Sequence, residues 1–245
     1  MTVPTEFPGQ FFDPDAVRAV VFDIGGVFLY PNWQGPAAKL AELNLPPRSN
    51  RTDFRRAHHA GAAALAAADR PTEEHKQDFW RLYDDAYARD LEVPESDRGE
   101  FRPAIRGVWD WRHDENVDAF HELQASGMPL AIVSNNDGTA AEQMRDHRIC
   151  WVNDAHDLPR VRSIVDSSLI GVAKPDPMIM APALHSIGLP PEQVLYVGDT
   201  AHADIAGATN AGMQSVQLDP FDHFAAYNHD RVVDLAELNR VLSAA

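Results

Sequence analysis

The sequence predicts an α/β fold, in which a parallel sheet carries helices on both faces and a small all-α domain is inserted after the first strand. Three observations lead to this prediction. From about residue 112 onward, short apolar runs alternate with helical patterns, which is typical of parallel sheets. Residues 32–111 show helical spacing and no strand pattern. The chain has 245 residues, which is long enough for one such core and a modest insertion.

The predicted elements follow one another along the chain in the order that such a sheet requires. Residues 20–22 form a buried strand, and an amphipathic helix over 116–126 precedes a second strand in "PLAIVSNND". The runs "SIVDSS", "VLYVGD" and "SVQL" predict further strands. Helices are expected over 139–147, in "HADIAGATNAG" and in "DPMIMAPALHSIG", where the interior Pro182 predicts a kink.

Composition limits the classes of partner. The formal net charge is −16 and no basic stripe is present, so we expect neither nucleic acid nor an anionic membrane as a partner. No apolar run approaches the ~20 residues that span a bilayer, and the N-terminus does not resemble a signal peptide, so we expect a cytoplasmic protein. The one cysteine, Cys150, lies in "ICWV" and is expected in the core rather than as a nucleophile. The sequence does not predict the oligomeric state.

Polar residues follow three of the predicted strands. Asp23 ends the first strand, Ser134 and Asn135 end the second, and Asp199 ends "VLYVG". Because the carboxyl ends of parallel strands meet at one edge of a sheet, we expect these side chains to lie close together. Asp204 would add a third carboxylate there. Carboxylates this close raise one another's pKa unless a cation lies between them, and oxygen ligands suit Mg²⁺.

Lys174, in "GVAKPDP", supplies a fixed cation to the same edge. A carboxylate nucleophile, a divalent metal, a hydroxyl group and a lysine are the components of phosphoryl transfer through an aspartyl-phosphate. These components predict a phosphorylated substrate that binds together with Mg²⁺.

Four motifs in order carry a family resemblance: "VVFDIGGV", "AIVSNN", "GVAKPDP" and "VLYVGDTAHAD". They resemble the haloacid dehalogenase superfamily of hydrolases, specifically its phosphatase-like members with a helical cap inserted after the first motif. The resemblance covers about 19–30 and 116–218 and implies a Rossmann-like core with an all-α cap. The predicted domains are the core over 17–31 and 112–245, the cap over 32–111 and an N-terminal lead-in over 1–16.

The resemblance also implies a role for each motif residue. Asp23 would be the nucleophile, and Lys174 would act with it. The implied Mg²⁺ ligands are the carboxylates of Asp23 and Asp199 and the carbonyl of Gly25, with Asp204 supporting the metal site. The implied phosphate-binding groups are Ser134, Lys174 and the backbone around Asn135 and Gly26.

The first motif departs from the family pattern. Phosphatases of the family usually carry D-x-D, whose second aspartate protonates the leaving group, whereas this chain has Gly25 there. A general acid or base contributes ~10²–10⁴-fold to the rate. Three hypotheses account for the gap: a good leaving group (an anomeric sugar, aryl or acyl phosphate), an acid from the cap (His58, His59 or Asp53), or slow hydrolysis.

Three other functions stay open at this point. A haloacid dehalogenase would need Asp23 but no metal. A phosphonate-cleaving hydrolase would need a cap lysine, Lys39 or Lys76. A catalytically weak or idle protein would keep only phosphate binding. Arg51, Arg55 and Arg56 of the cap could recognise an anionic substrate body, and Trp109 and Trp111 are expected to pack at the hinge.

Overall fold

The computed structural model describes residues 12–66, 68, 76–153 and 157–244. Most of the predicted lead-in lies outside these residues, and its last part forms a short 3₁₀ turn at Pro14–Ala16. No helix of the described residues is long and apolar enough to cross a membrane.

A sheet of six parallel strands forms the centre of the molecule. The strands of this sheet are β1 (Ala19–Phe22), β4 (Leu130–Ser134), β5 (Ile164–Asp166), β6 (Val194–Gly198), β7 (Gln214–Leu218) and β8 (Arg231–Val232). They lie in the order β5-β4-β1-β6-β7-β8, so the first strand of the chain is central. The predicted strands are all present, whereas β8 was not predicted.

The central strands are apolar because helices cover both faces of the sheet. Every residue of β1, β4, β6 and β7 is buried. One face packs through Phe22 against Phe28 and Phe120, with ring centroids 5.6 and 5.4 Å from Phe22. The core helices are α5 (Asp114–Ala125), α6 (Ala140–Asp146), α7 (Ser167–Ile170), α8 (Ala181–Ile187), α9 (Ala206–Asn210) and α10 (Leu235–Ser243).

Four helices lie between two short strands that pair with each other. β2 (Leu29–Tyr30) and β3 (Trp111–Arg112) are antiparallel, with Tyr30 opposite Trp111. This pair connects the sheet domain to the helical region. The helices are α1 (Gln34–Glu42), α2 (Arg51–Ala66), α3 (Lys76–Asp90) and α4 (Glu95–Ile105), and they pack around a separate core that includes Phe54, Tyr87 and Phe101.

Each of two predicted helices consists of a short turn of another helical type followed by an α-helix. The segment with Pro182 begins as a 3₁₀ turn at Pro177–Met180, and α8 starts at Ala181, so Pro182 lies in the first turn of a helix rather than inside one. In the segment after β6, a π turn at Ala201–Ile205 precedes α9. That turn carries Asp204, and π turns often lie at functional sites.

Candidate active site

The register of the sheet brings the predicted polar residues to one edge. Phe22 pairs with Ile132 of β4 and with Val197 of β6, so Asp23 lies between the ends of those two strands. One carboxylate oxygen from each of Asp23, Asp199 and Asp204 lies within 4.8 Å of the others, and all three residues are buried. The structure thus brings together the three carboxylates that the sequence predicted at this edge, and their role as metal ligands stays a prediction.

Lys174 lies among these carboxylates. Its ammonium Nζ is 2.8 Å from Asp23 Oδ1 and 2.6 Å from Asp204 Oδ1. It also donates a hydrogen bond of 2.9 Å to the Tyr196 hydroxyl, which in turn donates to the Val133 carbonyl. The lysine is 4% exposed, so its charge is fixed beside Asp23 with little solvent screening.

Asp204 positions Lys174. Both of its carboxylate oxygens accept hydrogen bonds, Oδ1 from Lys174 and Oδ2 from the backbone and hydroxyl of Thr200. Since these partners occupy both oxygens, the supporting role that was predicted for Asp204 fits the structure better than direct metal ligation.

Asp199 is contacted by a histidine from the helical region. The carboxylate Oδ2 is 3.0 Å from His58 Nε2, and His58 Nδ1 is 2.7 Å from the Tyr83 hydroxyl. The backbone carbonyl of Asp199 accepts a hydrogen bond from the buried Gln217 side chain. His58 is thus the one member of the three candidate acids that reaches the carboxylate cluster.

The pKa values of the three aspartates are shifted in different directions. Burial raises the pKa of Asp23 to about 6, because Lys174 offsets the desolvation only in part and Asp204 and Asp199 add to it. Burial also raises the pKa of Asp199. For Asp204, burial acts in the same sense, but Lys174 and the Thr200 hydrogen bonds outweigh it, so its pKa is lowered.

The donor set fits a hard divalent cation. Asp23 and Asp199 provide carboxylate oxygens and Gly25 lines the same cavity, so the donors predicted here are all oxygen atoms. Three carboxylates lie beside one lysine, which leaves a net negative charge in a buried site. A Mg²⁺ ion held by these residues would neutralise that charge.

Gly26 has a steric role in this cluster. Its φ is +66°, and a Cβ atom there would lie 2.2 Å from Asp199 Oδ2. Its N–H donates to the Leu29 carbonyl, and its own carbonyl accepts from the Tyr30 hydroxyl at 2.6 Å. Both backbone groups of Gly26 therefore have partners within the loop, and phosphate binding by the backbone around Gly26 stays a prediction.

Replacing Gly26 with alanine is expected to weaken Mg²⁺ binding about 10–100-fold, because the new methyl group displaces Asp199. Titration calorimetry with MgCl₂ measures the effect. Gly188→Ala is the matched control, because Gly188 also has a positive φ (+76°) but has open space around it. Equal Mg²⁺ affinity in the two variants would show that backbone strain, rather than the approach to Asp199, decides the outcome.

Ser134 and Asn135 lie at the end of β4 and line the same cavity. The Asn135 side chain is engaged with the backbone of Lys174: it accepts from the Lys174 N–H at 2.7 Å and donates to the Lys174 carbonyl at 3.2 Å. The side chain of Asn135 thus holds the lysine loop, and the hydroxyl of Ser134 and the backbone of this turn stay as the predicted phosphate contacts.

Trp109 reaches Gly25 in the loop that follows Asp23, a contact that the sequence did not indicate. A Cβ atom on Gly25 would lie 3.0 Å from the Trp109 ring, so the indole fills the space that a side chain at position 25 would take. The expectation that Trp109 packs only at the hinge is wrong, because Trp109 lines the cavity. Trp111 does lie at the hinge, with its ring centroid 5.5 Å from that of Tyr30.

The other candidate residues have structural partners. His59 is 3.0 Å from the Tyr30 hydroxyl, and Asp53 pairs with Arg56. Arg56 also pairs with Asp90, whereas Arg51 and Arg55 stack on Trp33 and Tyr30. None of these residues belongs to the described lining of the cavity. Cys150 is buried, which raises the pKa of its thiol and confirms its place in the core.

A family model and similar proteins match this chain. The model for haloacid dehalogenase-like hydrolases matches residues 17–212. A phosphoglycolate phosphatase of Pseudomonas putida is 25% identical over 244 residues, which cover 92% of this chain and 76% of that protein. An (S)-2-haloacid dehalogenase of Pseudomonas putida is 30% identical over 133 residues, which cover 52% and 55%.

The chain spans 24% to 55% of the length of several other curated phosphatases and dehalogenases that it matches. Among solved structures, a putative hydrolase of Bacillus subtilis superposes with a TM-score of 0.54 at 19% identity, covering 92% of this chain and 98% of that one. This likeness shows the fold, which is a Rossmann-like core with many added helices.

Proposed function

The chain belongs to the haloacid dehalogenase-like hydrolases, and we propose that it is a Mg²⁺-dependent phosphatase that hydrolyses a small phosphorylated metabolite through an aspartyl-phosphate on Asp23. One observation carries this proposal. Asp23 lines a cavity at the sheet edge, with Lys174 at 2.8 Å and with Asp199 and Asp204 beside it. A phosphatase requires this combination of a nucleophile, a fixed cation and further carboxylates.

In the first step, the transfer of the phosphoryl group to Asp23, each side chain of the site has a different role. Lys174 holds Asp23 in one orientation and places a positive charge where the phosphoryl oxygens gather charge. The Ser134 hydroxyl and the backbone of the Asn135 turn hold the phosphoryl group from the other side. A carboxylate oxygen of Asp23 then attacks phosphorus in line with the leaving group, and the P–O bond to that group breaks.

Asp23, Asp199 and the Gly25 carbonyl are the residues that would hold Mg²⁺. The ion, when bound, neutralises charge on the phosphoryl oxygens. In the second step, water attacks the aspartyl-phosphate, inorganic phosphate leaves and the Asp23 carboxylate is restored. The helical region forms the wall of the cavity opposite the sheet and limits the access of bulk water to the aspartyl-phosphate.

The proposal is tested by trapping the intermediate. Incubation with acetyl phosphate and Mg²⁺, followed by borohydride reduction, is expected to convert Asp23 into a homoserine residue that mass spectrometry of peptides detects. Chelation of the metal is expected to abolish both the adduct and phosphate release. If phosphate is released but Asp23 carries no adduct, the proposed mechanism is wrong.

A haloacid dehalogenase is the second candidate function. The apolar surface of Trp109 beside Asp23 would suit a haloalkanoate, and dehalogenases are among the similar proteins. Asp199 and Asp204 argue against it, because a dehalogenase does not need buried carboxylates beside its nucleophile. Chloride release from 2-chloropropionate in the presence of a chelator would favour the dehalogenase.

Two further readings have less support. Lys39 pairs with Glu42 and Glu100 and is absent from the described lining of the cavity, and the side chain of Lys76 lies outside the described residues. Among the described side chains, no lysine of the helical region is therefore in place for a phosphonate-cleaving hydrolase. An idle phosphate-binding protein would bind BeF₃⁻ with Mg²⁺ but release no phosphate from acetyl phosphate.

Restoring an aspartate at position 25 is expected to fail unless Trp109 is also reduced in size. The indole lies 3.0 Å from the position of a Cβ atom on Gly25, so Gly25→Asp alone must displace the ring and is expected to give no gain. The double variant Gly25→Asp/Trp109→Ala has room for the acid, and we expect it to exceed Trp109→Ala about tenfold or more in phosphate release from alkyl phosphates. A gain in Gly25→Asp alone would show that the indole moves away easily.

A further inference from the structure

The cavity above Asp23 has two chemically different ends. Its volume is about 720 Å³, which is large enough for a substrate much bigger than a phosphate group. The floor, at the sheet edge, carries the charged cluster. The opposite wall comes from the helical region and, apart from His58, is apolar and aromatic: Ala62, Leu65, Phe79, Trp80, Tyr83 and Trp109.

The aromatic wall provides ring faces rather than polar groups. The Tyr83 hydroxyl is engaged with His58 at 2.7 Å, so Tyr83 presents mainly its ring to the cavity. Phe79 and Trp80 are neighbours with ring centroids 6.0 Å apart, and the Trp80 ring lies 6.1 Å from that of Tyr83. Such a wall favours a planar apolar group, because aromatic rings bury large areas and stack in offset or edge-to-face geometry.

The charges of the cavity disfavour a second anionic group on the substrate. Lys174 is the only lysine or arginine among the described lining residues, and it is already paired with Asp23 and Asp204. Outside the cluster, the described lining adds one acid, Asp137, and two histidines, His58 and His202, of which His58 is engaged by Asp199. A carboxylate on the substrate body would therefore meet no second lysine or arginine in the described lining, and its burial there is costly.

The surroundings of Gly25 disfavour a poor leaving group. The space beside Gly25 holds the ring carbons of Trp109, which have no proton to give. His58, the candidate acid that reaches the cluster, has both ring nitrogens engaged, one by Asp199 at 3.0 Å and the other by the Tyr83 hydroxyl at 2.7 Å. This arrangement therefore favours a leaving group that is stable as an anion. A phenolate meets this condition far better than an alkoxide, and its ring matches the aromatic wall.

We propose that the substrate is an aryl phosphate monoester with an uncharged ring, seated with its phosphate on Asp23 and Lys174 and its ring against Trp80, Phe79 and Trp109. This inference rests on the proposed phosphatase function. Asp23 attacks phosphorus, the P–O(aryl) bond breaks with its electron pair on the phenolate oxygen, and the phenolate takes a proton from water. Water then cleaves the aspartyl-phosphate, so a phenol and inorganic phosphate are the products.

Four substrates separate the contributions of ring, charge and leaving group: phenyl phosphate, 3-carboxyphenyl phosphate, benzyl phosphate and 2-phosphoglycolate. We expect kcat/KM for phenyl phosphate to exceed that for the carboxylated ring about tenfold or more. Benzyl phosphate keeps the ring, but its leaving group is an alkoxide, so we expect it to react at least ~10²-fold more slowly than phenyl phosphate. Equal rates for phenyl phosphate and 2-phosphoglycolate would overturn the inference.

A binding measurement gives a readout that does not depend on turnover. Calorimetry with Mg²⁺ present is expected to show tighter binding of benzylphosphonate than of phosphonoacetate, about tenfold or more. Trp80→Ala is expected to weaken benzylphosphonate binding about three- to tenfold, and Trp80→Phe to retain most of it. Leu82→Ala is the matched control, because Leu82 lies on the same helix and is 44% exposed, against 45% for Trp80, but is outside the described lining.

The outcomes distinguish the inference from the function on which it rests. Acetyl phosphate has a good leaving group but no ring, so its Asp23-dependent hydrolysis tests the phosphatase alone. If acetyl phosphate is hydrolysed but phosphonoacetate binds as tightly as benzylphosphonate, the phosphatase stands and the aryl substrate is wrong. If neither acetyl phosphate nor an aryl phosphate is hydrolysed, the proposed function fails as well.

Discussion

Asp23→Asn is expected to lower phosphate release on the order of 10⁴- to 10⁶-fold, which is the loss typical of removing a catalytic nucleophile. An amide of the same size cannot form the phosphorylated intermediate, although it still fits beside Lys174. The variant is expected to fold as well as the natural protein, because the substitution removes one of three buried carboxylates that repel one another. The measurement is single-turnover and steady-state phosphate release from acetyl phosphate and phenyl phosphate.

Asp146→Asn provides the control for this substitution. Asp146 is exposed and pairs only with its neighbour Arg145 in a surface ion pair, so its loss is expected to leave the rate within about threefold. A thermal unfolding curve for each variant separates lost chemistry from lost structure. If Asp23→Asn keeps more than about a tenth of the natural rate, Asp23 is not the nucleophile.

The sheet and its polar edge could be predicted from the sequence because each depends on short stretches. Val20, Val21 and Phe22 are apolar because both faces of β1 are covered, and Asp23 directly follows them. Parallel pairing then forces Asp23, Ser134 and Asp199 to the same edge, whatever the helices do. The positions of the motifs at the ends of parallel strands were therefore enough to predict that the carboxylates lie close together.

The contribution of the helical region could not be predicted in the same way. His58 meets Asp199, 141 positions later in the chain, and Trp109 covers Gly25. Neither contact follows from local periodicity, because it depends on how one group of helices packs against the sheet edge. A histidine pair on a helix and a tryptophan near a hinge have many ordinary explanations. A glycine at position 25 was the one available indication that a large side chain from elsewhere fills that space.

Lys174→Met is expected to reduce both stability and phosphate release, since one side chain serves both. Lys174 is the cation between Asp23 and Asp204, and burial, which alone would lower its pKa, is outweighed by these carboxylates, which raise it. Its removal leaves two buried carboxylates without their cation, for which we expect a loss of about 3–5 kcal/mol in the free energy of unfolding. Urea unfolding without Mg²⁺ measures it. Phosphate release is expected to fall about 10²–10³-fold, since a fixed charge at the phosphoryl group is lost.

Three comparisons decide whether the loss of the buried lysine charge is the cause of that instability. Lys39→Met also removes a lysine that pairs with two acids, Glu42 and Glu100, but those acids are exposed, so little change in stability is expected. The double variant Lys174→Met/Asp204→Asn removes a carboxylate together with the lysine, and we expect it to regain part of the stability that Lys174→Met loses. Saturating Mg²⁺ is expected to narrow the deficit of Lys174→Met, because the ion supplies positive charge to the same carboxylates. If the double variant is as unstable as the single one and Mg²⁺ has no effect, the lysine acts through packing of its side chain, and the electrostatic account of this site is wrong.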